Sequence, residues 1–270
     1  MSKKKVLYLA QEIYPYLEES QVGKESELVP LGIMERGNDI RTFMPNYGTI
    51  NERRNQLHEV IRLSGVNLTV NDKVHQLVVK VASLMPQRMQ VYFIDNEDFF
   101  GRKGVFKNPK DDTFYDDNVE RSVFFIRGVF ETIKKLRWIP DIIHCQGWFT
   151  GLAPLYLKTL FKDDPALSQA KIVFSTYDTT PPYPFAENLT EVLAYDGIKD
   201  PLLNGNQLDK DMLAQLILKY VDGIVVATSD ASKSLMDAIT TSGVAYLDYQ
   251  NNEQIIESMA EFYGKLDASD

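Results

Sequence analysis

A chain of 270 residues, 44% of them hydrophobic, is long enough for one large or two small domains and apolar enough for a substantial core. Its net charge of −9 and the absence of a dense basic stripe argue against a dedicated nucleic-acid binder, and no run approaches the roughly 18 apolar residues that a membrane span needs. The single cysteine, Cys145, excludes an internal disulfide and any multi-cysteine metal site, and with only three histidines neither a metal nor a cofactor is expected.

The opening MSKKK and the short apolar run after it are too brief for a secretory signal, so a cytoplasmic location is expected. Val6 to Ala10 reads as a strand buried on both faces, as in a parallel sheet. After a loop, Leu28, Val29, Gly32 and Ile33 share one helical face, Gly37 suits a left-handed helix end, and Ile40 to Met44 resumes strand character before Pro45. That order predicts a right-handed parallel crossover, whose first loop and helix start, residues 11–25, face the ligand crevice. Val60 to Leu63, Val66 to Val70, Leu77 to Leu84 and Gln90 to Ile94 read as close-spaced strands, hence antiparallel hairpins beside the parallel sheet. Phe99 to Asn108 reads as loop. A helix capped by Asp116, Asp117 or Asn118 runs to about Leu136. A second series follows: strand Asp141 to Cys145, helix from about Thr150 to Phe161, strand Ile172 to Thr176. Pro181, Pro182 and Pro184, interleaved with Tyr183 and Phe185, predict a mobile lip on the ligand side. Asp209 to Val221 reads as a helix, Gly223 to Ala227 as a buried strand, and Ser229 as the cap of a helix Asp230 to Ile239. Glu253 to Leu266 carries Ile255, Ile256, Met259, Phe262 and Tyr263 on one broad helical face.

The order of short motifs resembles the amino-terminal, acceptor-side half of bacterial starch or glycogen synthases, which extend α-1,4-glucans from ADP-glucose. The matching text is Glu12-Ile-Tyr-Pro15, Arg36-Gly-Asn-Asp-Ile40, Met44-Pro-Asn-Tyr47, Tyr92-Phe-Ile-Asp-Asn96 and Asp117-Asn-Val-Glu-Arg121. Asp141-Ile-Ile-His144 and the run from Trp148 through Leu152-Ala-Pro-Leu-Tyr-Leu-Lys158 continue it, and the likeness covers roughly residues 4 to 240. It implies an α/β fold, a Rossmann-like parallel sheet with inserted antiparallel hairpins, forming one half of a two-domain GT-B glycosyltransferase. Residues 1–270 are then expected to be a single domain closed by the helix at about 253–266, without the donor-binding second domain.

The departures fall on the chemistry. Where the family has Lys-x-Gly-Gly, this chain has Glu18-Glu19-Ser20-Gln21; the family's lysine faces the sugar-nucleotide phosphates, and its glycines let the backbone approach them. The family's His-Asp-Trp-His becomes Gln146-Gly147-Trp148-Phe149, and Phe149 can neither hydrogen-bond through its side chain nor carry a proton. Its later Ile-His-Asn becomes Thr176-Tyr177-Asp178. Glu18, Ser20, Gln21, Gln146, Gly147 and Phe149 are thus degenerate positions, and no catalytic residue is assigned. Lys24 is a substitute cation or simply a solvated helix lysine.

The resemblance makes Glu12, Tyr14, Tyr16, Trp148, Tyr177 and Asp178 candidate substrate-binding residues. Glu12 serves an acceptor or a cap; Trp148 stacks a sugar or fills the core; His144 and Cys145 read as core residues. The resemblance also implies a ligand among α-glucan and ADP-glucose. A crevice around Tyr14, Tyr16, Trp148, Phe149, Tyr183 and Phe185 is expected to be exposed, and so to be covered by a homo-oligomer or a protein partner. Three functions remain: a family glucosyltransferase without stand-alone transfer, a glucan-binding or regulatory pseudoenzyme, and an unrelated enzyme on a Rossmann-like sheet.

Overall fold

The computed structural model describes residues 3–177, 188–203 and 210–267. Strand β1 (Lys5–Ala10) leads into helix α1 (Gln21–Glu35) and strand β2 (Asp39–Pro45), and β1 and β2 pair in parallel, Val6 opposite Ile40. Val6 to Ala10 have no exposed surface, so both faces of the sheet are covered here. Gly37 follows α1 with φ +91°, the left-handed geometry that its position demanded.

The insert holds β3 (His58–Glu59), β4 (Val66–Val70), β5 (Lys73–Leu84) and β6 (Met89–Asp95). β6 pairs in parallel with β2 and antiparallel with β5, and β5 pairs antiparallel with β3 and β4. Val60 to Leu63 are turn rather than strand; the pairing falls instead on His58–Glu59, because the Val60 and Leu63 N–H groups bond within turns or to Val79 O. A short helix α2 (Glu97–Phe100), capped by the Asn96 side chain, takes in the first two residues of the expected 99–108 loop.

Helix α3 (Asn118–Leu136) packs on β2, β4 and β6. Its N-cap, Asp117, makes no capping bond because its carboxylate pairs with Arg102 instead. Strand β7 (Ile142–Gln146) follows, then a single 3₁₀ turn over Trp148–Thr150 and α4 (Ala153–Lys158), shorter than the helix expected over 150–161. Next come β8 (Lys171–Thr176), α5 (Leu189–Tyr195), α6 (Lys210–Tyr220) and β9 (Gly223–Val226). Helix α7 (Lys233–Ser242) starts three residues later than predicted because Ser232, not Ser229, accepts from the Leu235 N–H. Strand β10 (Ala245–Leu247) and helix α8 (Ile255–Asp267) end the described chain.

The sheet order is β10-β9-β8-β7-β1-β2-β6-β5-β3, and all pairs from β10 to β6 are parallel. A Rossmann-like parallel sheet with antiparallel hairpins at one edge is therefore the observed fold. Among the described residues, no helix is long and apolar enough to cross a membrane.

Helix α8 lies against α1 and the sheet, with Ile255, Met259, Phe262, Tyr263 and Leu266 buried. Gly32 on α1 makes this approach possible, since a Cβ there would sit 2.5 Å from Ile256 Cδ1. Beneath the helix a buried polar chain ties it down: the Tyr8 and Tyr263 hydroxyls are 2.9 Å apart, Tyr263 Oη is 2.6 Å from His144 Nδ1, and His144 Nε2 is 2.7 Å from Ser175 Oγ. The network favours one order of donors, Tyr8 to Tyr263, Tyr263 to Nδ1, and Nε2–H to Ser175. His144 is the core histidine of the sequence reading, its pKa pushed down to about 3 by burial. Burial likewise raises the Cys145 thiol far above its ordinary value.

Candidate functional site

The carboxyl ends of β1, β7, β8 and β9 meet the amino end of α1, where a parallel sheet of this kind presents free backbone N–H groups to a ligand. Here the chain's own side chains fill that position. Ser20 Oγ accepts from the Gly23 N–H at 2.9 Å and donates to Glu12 Oε1 at 3.0 Å. Gln21 reaches across to the Ala227 carbonyl beyond β9 and also donates to Glu25 Oε1 at 3.2 Å. Burial raises the pKa of Glu12, opposed by the bonds from Ser20 and Gln11. The same desolvation pushes Glu25 up to about 7, opposed by Gln21 and Tyr177.

Tyr177 lies buried against Val22 and Ala227 in a small apolar cluster of its own. Its hydroxyl sits beside Glu25 and Gln146, yet neither that hydroxyl nor Gln146 Oε1 forms a well-shaped hydrogen bond. Glu12, Ser20, Gln21, Gln146 and Tyr177 are therefore brought together, and Glu25 joins them. Sequence reading passed over Glu25, although its place one turn after the loop was a usable signal. Lys24 is paired with Glu19 on the surface. Asp178, Tyr183, Phe185 and the predicted lip lie outside the described residues.

Beside this cluster opens a cleft of about 730 Å³ between the 12–20 loop, the 49–55 segment and Val105. Glu12, Tyr16, Glu18, Glu19 and Ser20 form one wall, and Thr49, Asn51, Arg54 and Asn55 face them. The second wall was missed in the sequence. Its size is within the range of small-molecule sites, and its carboxylates, amides, hydroxyls and single arginine suit a ligand that both donates and accepts hydrogen bonds.

The aromatic residues correct an expectation. Only Tyr14, at 36% exposure, meets solvent; Tyr16, Trp148 and Phe149 are buried. Phe149 lies within ring contact of Tyr47, Phe106, Phe125 and Trp148, and Trp148 lies on Phe106 at 4.8 Å. The cluster is buried because the 99–106 loop folds over it, held by Arg121, which donates to the Phe99 and Val105 carbonyls and to Asn118 Oδ1. Of the expected crevice aromatics among the described residues, Tyr14 alone is exposed, so they do not form the open patch that was expected. Gly147 is also part of the framework: φ is +86°, and a Cβ would lie 2.5 Å from Gln11 Oε1.

The family model of the starch synthase catalytic domain matches residues 5–211. The chain belongs to that family. Among family relatives, the glycogen synthase of Pelodictyon phaeoclathratiforme is 32% identical over 267 residues, 98% of this chain and 53% of the relative. That of Chlorobium limicola is 39% identical over 174 residues, 64% of this chain and 36% of the relative. A solved structure described as the catalytic domain of Starch Synthase IV from Arabidopsis thaliana bound to ADP and acarbose superposes with a TM-score of 0.73 at 16% identity. The match covers 93% of this chain and 52% of that one. The fold is thus that of a starch synthase GT-B domain, and the chain spans about half the length of these relatives or less.

Proposed function

We propose that this chain is a glucan-binding member of the starch and glycogen synthase family that does not itself transfer glucose from a sugar nucleotide. The observation that carries the reading is the closed amino end of α1. Ser20 and Gln21 occupy it, and Glu12, Glu18, Glu19 and Glu25 surround it where the family has a lysine and paired glycines. A like-charge contact near 4 Å costs about 1 to 4 kcal/mol between bulk-water and surface dielectrics, so a phosphate beside Glu18 is disfavoured by about five-fold to several hundred-fold. Phe149 supports the same reading, since its ring is packed in the core with no group to offer a transferring sugar. The acidic, mixed donor–acceptor cleft is what remains for a saccharide.

Calorimetry of this chain with ADP-glucose and with maltoheptaose, together with a labelled-glucose incorporation assay on glycogen, tests the reading. Maltoheptaose binding without nucleotide binding or incorporation is expected. Micromolar ADP-glucose binding, or incorporation that depends on the protein, overturns it.

A further inference from the structure

A second cleft, of about 300 Å³, lies on the other side of the 99–106 loop from the first. Because Val78 pairs with Asp95 at the end of β6, residues 73–77 of β5 project past the carboxyl end of the sheet, onto the same rim as the first cleft. The β4–β5 turn, with Asn71 at φ +55°, forms one lip, and the Phe99–Arg102 segment and the start of α3 form the other.

Its central residue is His75. The ring is only 8% exposed and lies on Phe99 with centroids 4.3 Å apart, yet its buried Nδ1 makes no hydrogen bond. Nδ1 is 3.5 Å from Asp98 Oδ2, too far for a firm bond. A buried polar ring left in this state is uncommon, and it lines an open cleft. Glu120 Oε2, at the same cleft, is also buried without a partner.

The chemistry of the lining selects the ligand class. Asp72, Asp98 and Glu120 accept, while Lys73 and Arg102 donate, Arg102 being already held by Asp117. An anion would face the carboxylates, and a simple cation would face Lys73 and Arg102. A hydroxyl group, donor and acceptor at once, matches both sets, and Val70 and Phe99 supply an apolar surface for the C–H face of a ring. Among the described residues, no group of three or more His, Cys, Asp or Glu side chains converges to hold a metal ion. We propose that this cleft is a second carbohydrate subsite, which takes the terminal one or two rings of a neutral saccharide independently of the main cleft. The ligand's identity rests on the proposed glucan-binding reading; the site itself rests on His75.

With three histidines in the sequence, the His75 imidazole can be followed directly. In the full chain labelled at histidine, the His75 resonance is assigned by its loss in His75→Phe, a variant that keeps the ring on Phe99. Maltose at millimolar concentration is expected to shift that resonance saturably, and to do so equally in Asn55→Ala, a main-cleft variant. Asp98→Ala, whose side chain is 77% exposed and so tolerates removal, should weaken the shift at least ten-fold. A His75 signal unmoved by maltose, or moved by inorganic phosphate instead, overturns the subsite. If maltoheptaose still binds by calorimetry and loses affinity in Asn55→Ala while His75 stays silent, the subsite fails and the glucan-binding reading stands. If no saccharide binds at all, both fall.

Discussion

Glu25 sits where burial makes its charge costly, only partly offset by bonds from Gln21 and Tyr177, and its pKa of about 7 against an ordinary 4.5 turns that into a pH dependence. Between those values the folded chain holds a proton that the unfolded chain has lost. Its contribution to stability therefore falls as pH rises from about 4.5 through about 7 and is flat above. The full gap would amount to roughly 3 kcal/mol at 1.36 kcal/mol per unit, and partial solvent access reduces it. Glu25→Gln should thus be about 1 to 2 kcal/mol more stable than the parent at pH 8 and little changed at pH 4.5, measured by urea unfolding at both pH values. Equal stability at pH 8 would show that the carboxyl ionises normally. His144 acts with the opposite sign: held neutral by a pKa near 3, it costs stability as pH falls below its ordinary 6.5. At this scale Gly147 explains why restoring the family's residues one at a time is not a neutral experiment, since any side chain there meets Gln11.

At the scale of elements, α8 is held by both apolar contact and a polar chain, and the two can be separated. Removing the Tyr263 hydroxyl leaves the Tyr8 hydroxyl and His144 Nδ1 buried without partners, at about 1 to 3 kcal/mol each, whereas removing the Tyr8 hydroxyl leaves Tyr263 still bonded to His144. Tyr263→Phe is therefore expected to destabilise the chain by about 2 to 4 kcal/mol and Tyr8→Phe by about 1 kcal/mol, compared by chemical denaturation. Equal effects would mean that the chain of hydroxyls does not act as a unit. Arg121 plays a comparable role at the other end of the molecule. Its guanidinium is fully buried without a carboxylate, bonded to two carbonyls and an amide and faced by aromatic rings. It fixes the loop that both roofs the aromatic cluster and divides the two clefts.

For the whole molecule, one apolar cluster runs from β1 to α8 and includes residues of the antiparallel insert such as Leu68 and Leu77. We take this as support for a single cooperative unit. Trp138 and Trp148 stand at opposite ends of the sheet, one bonded to Asp39 at the start of β2, the other just past the end of β7. Unfolding followed by tryptophan fluorescence should therefore coincide with unfolding followed by far-ultraviolet circular dichroism, and Trp138→Phe and Trp148→Phe variants should each give one transition. Separate midpoints would show that the insert, or the β8–β10 side, unfolds by itself.

What the sequence determined by itself was everything that depends on local period and local chemistry. The β-α-β order, the antiparallel insert and the amphipathic face of α8 were legible because a strand or helix writes its spacing into a few consecutive residues. The family was legible because its short motifs keep their order, and so were the losses at Glu18 and Phe149. Tertiary structure decided which of these residues meet a ligand. Phe149 and Trp148 looked like a crevice and proved to be core, because the loop that covers them is pinned by Arg121 of α3. Gln21 closes the helix end only because β9, some 200 residues later, places a carbonyl within its reach. Glu25 stood out only when Tyr177 was set beside it, and His75, Asp98 and Glu120 share a cleft that no spacing in the text announces. Burial, pairing and concavity are properties of residues brought together by the fold, so a one-dimensional pattern cannot carry them.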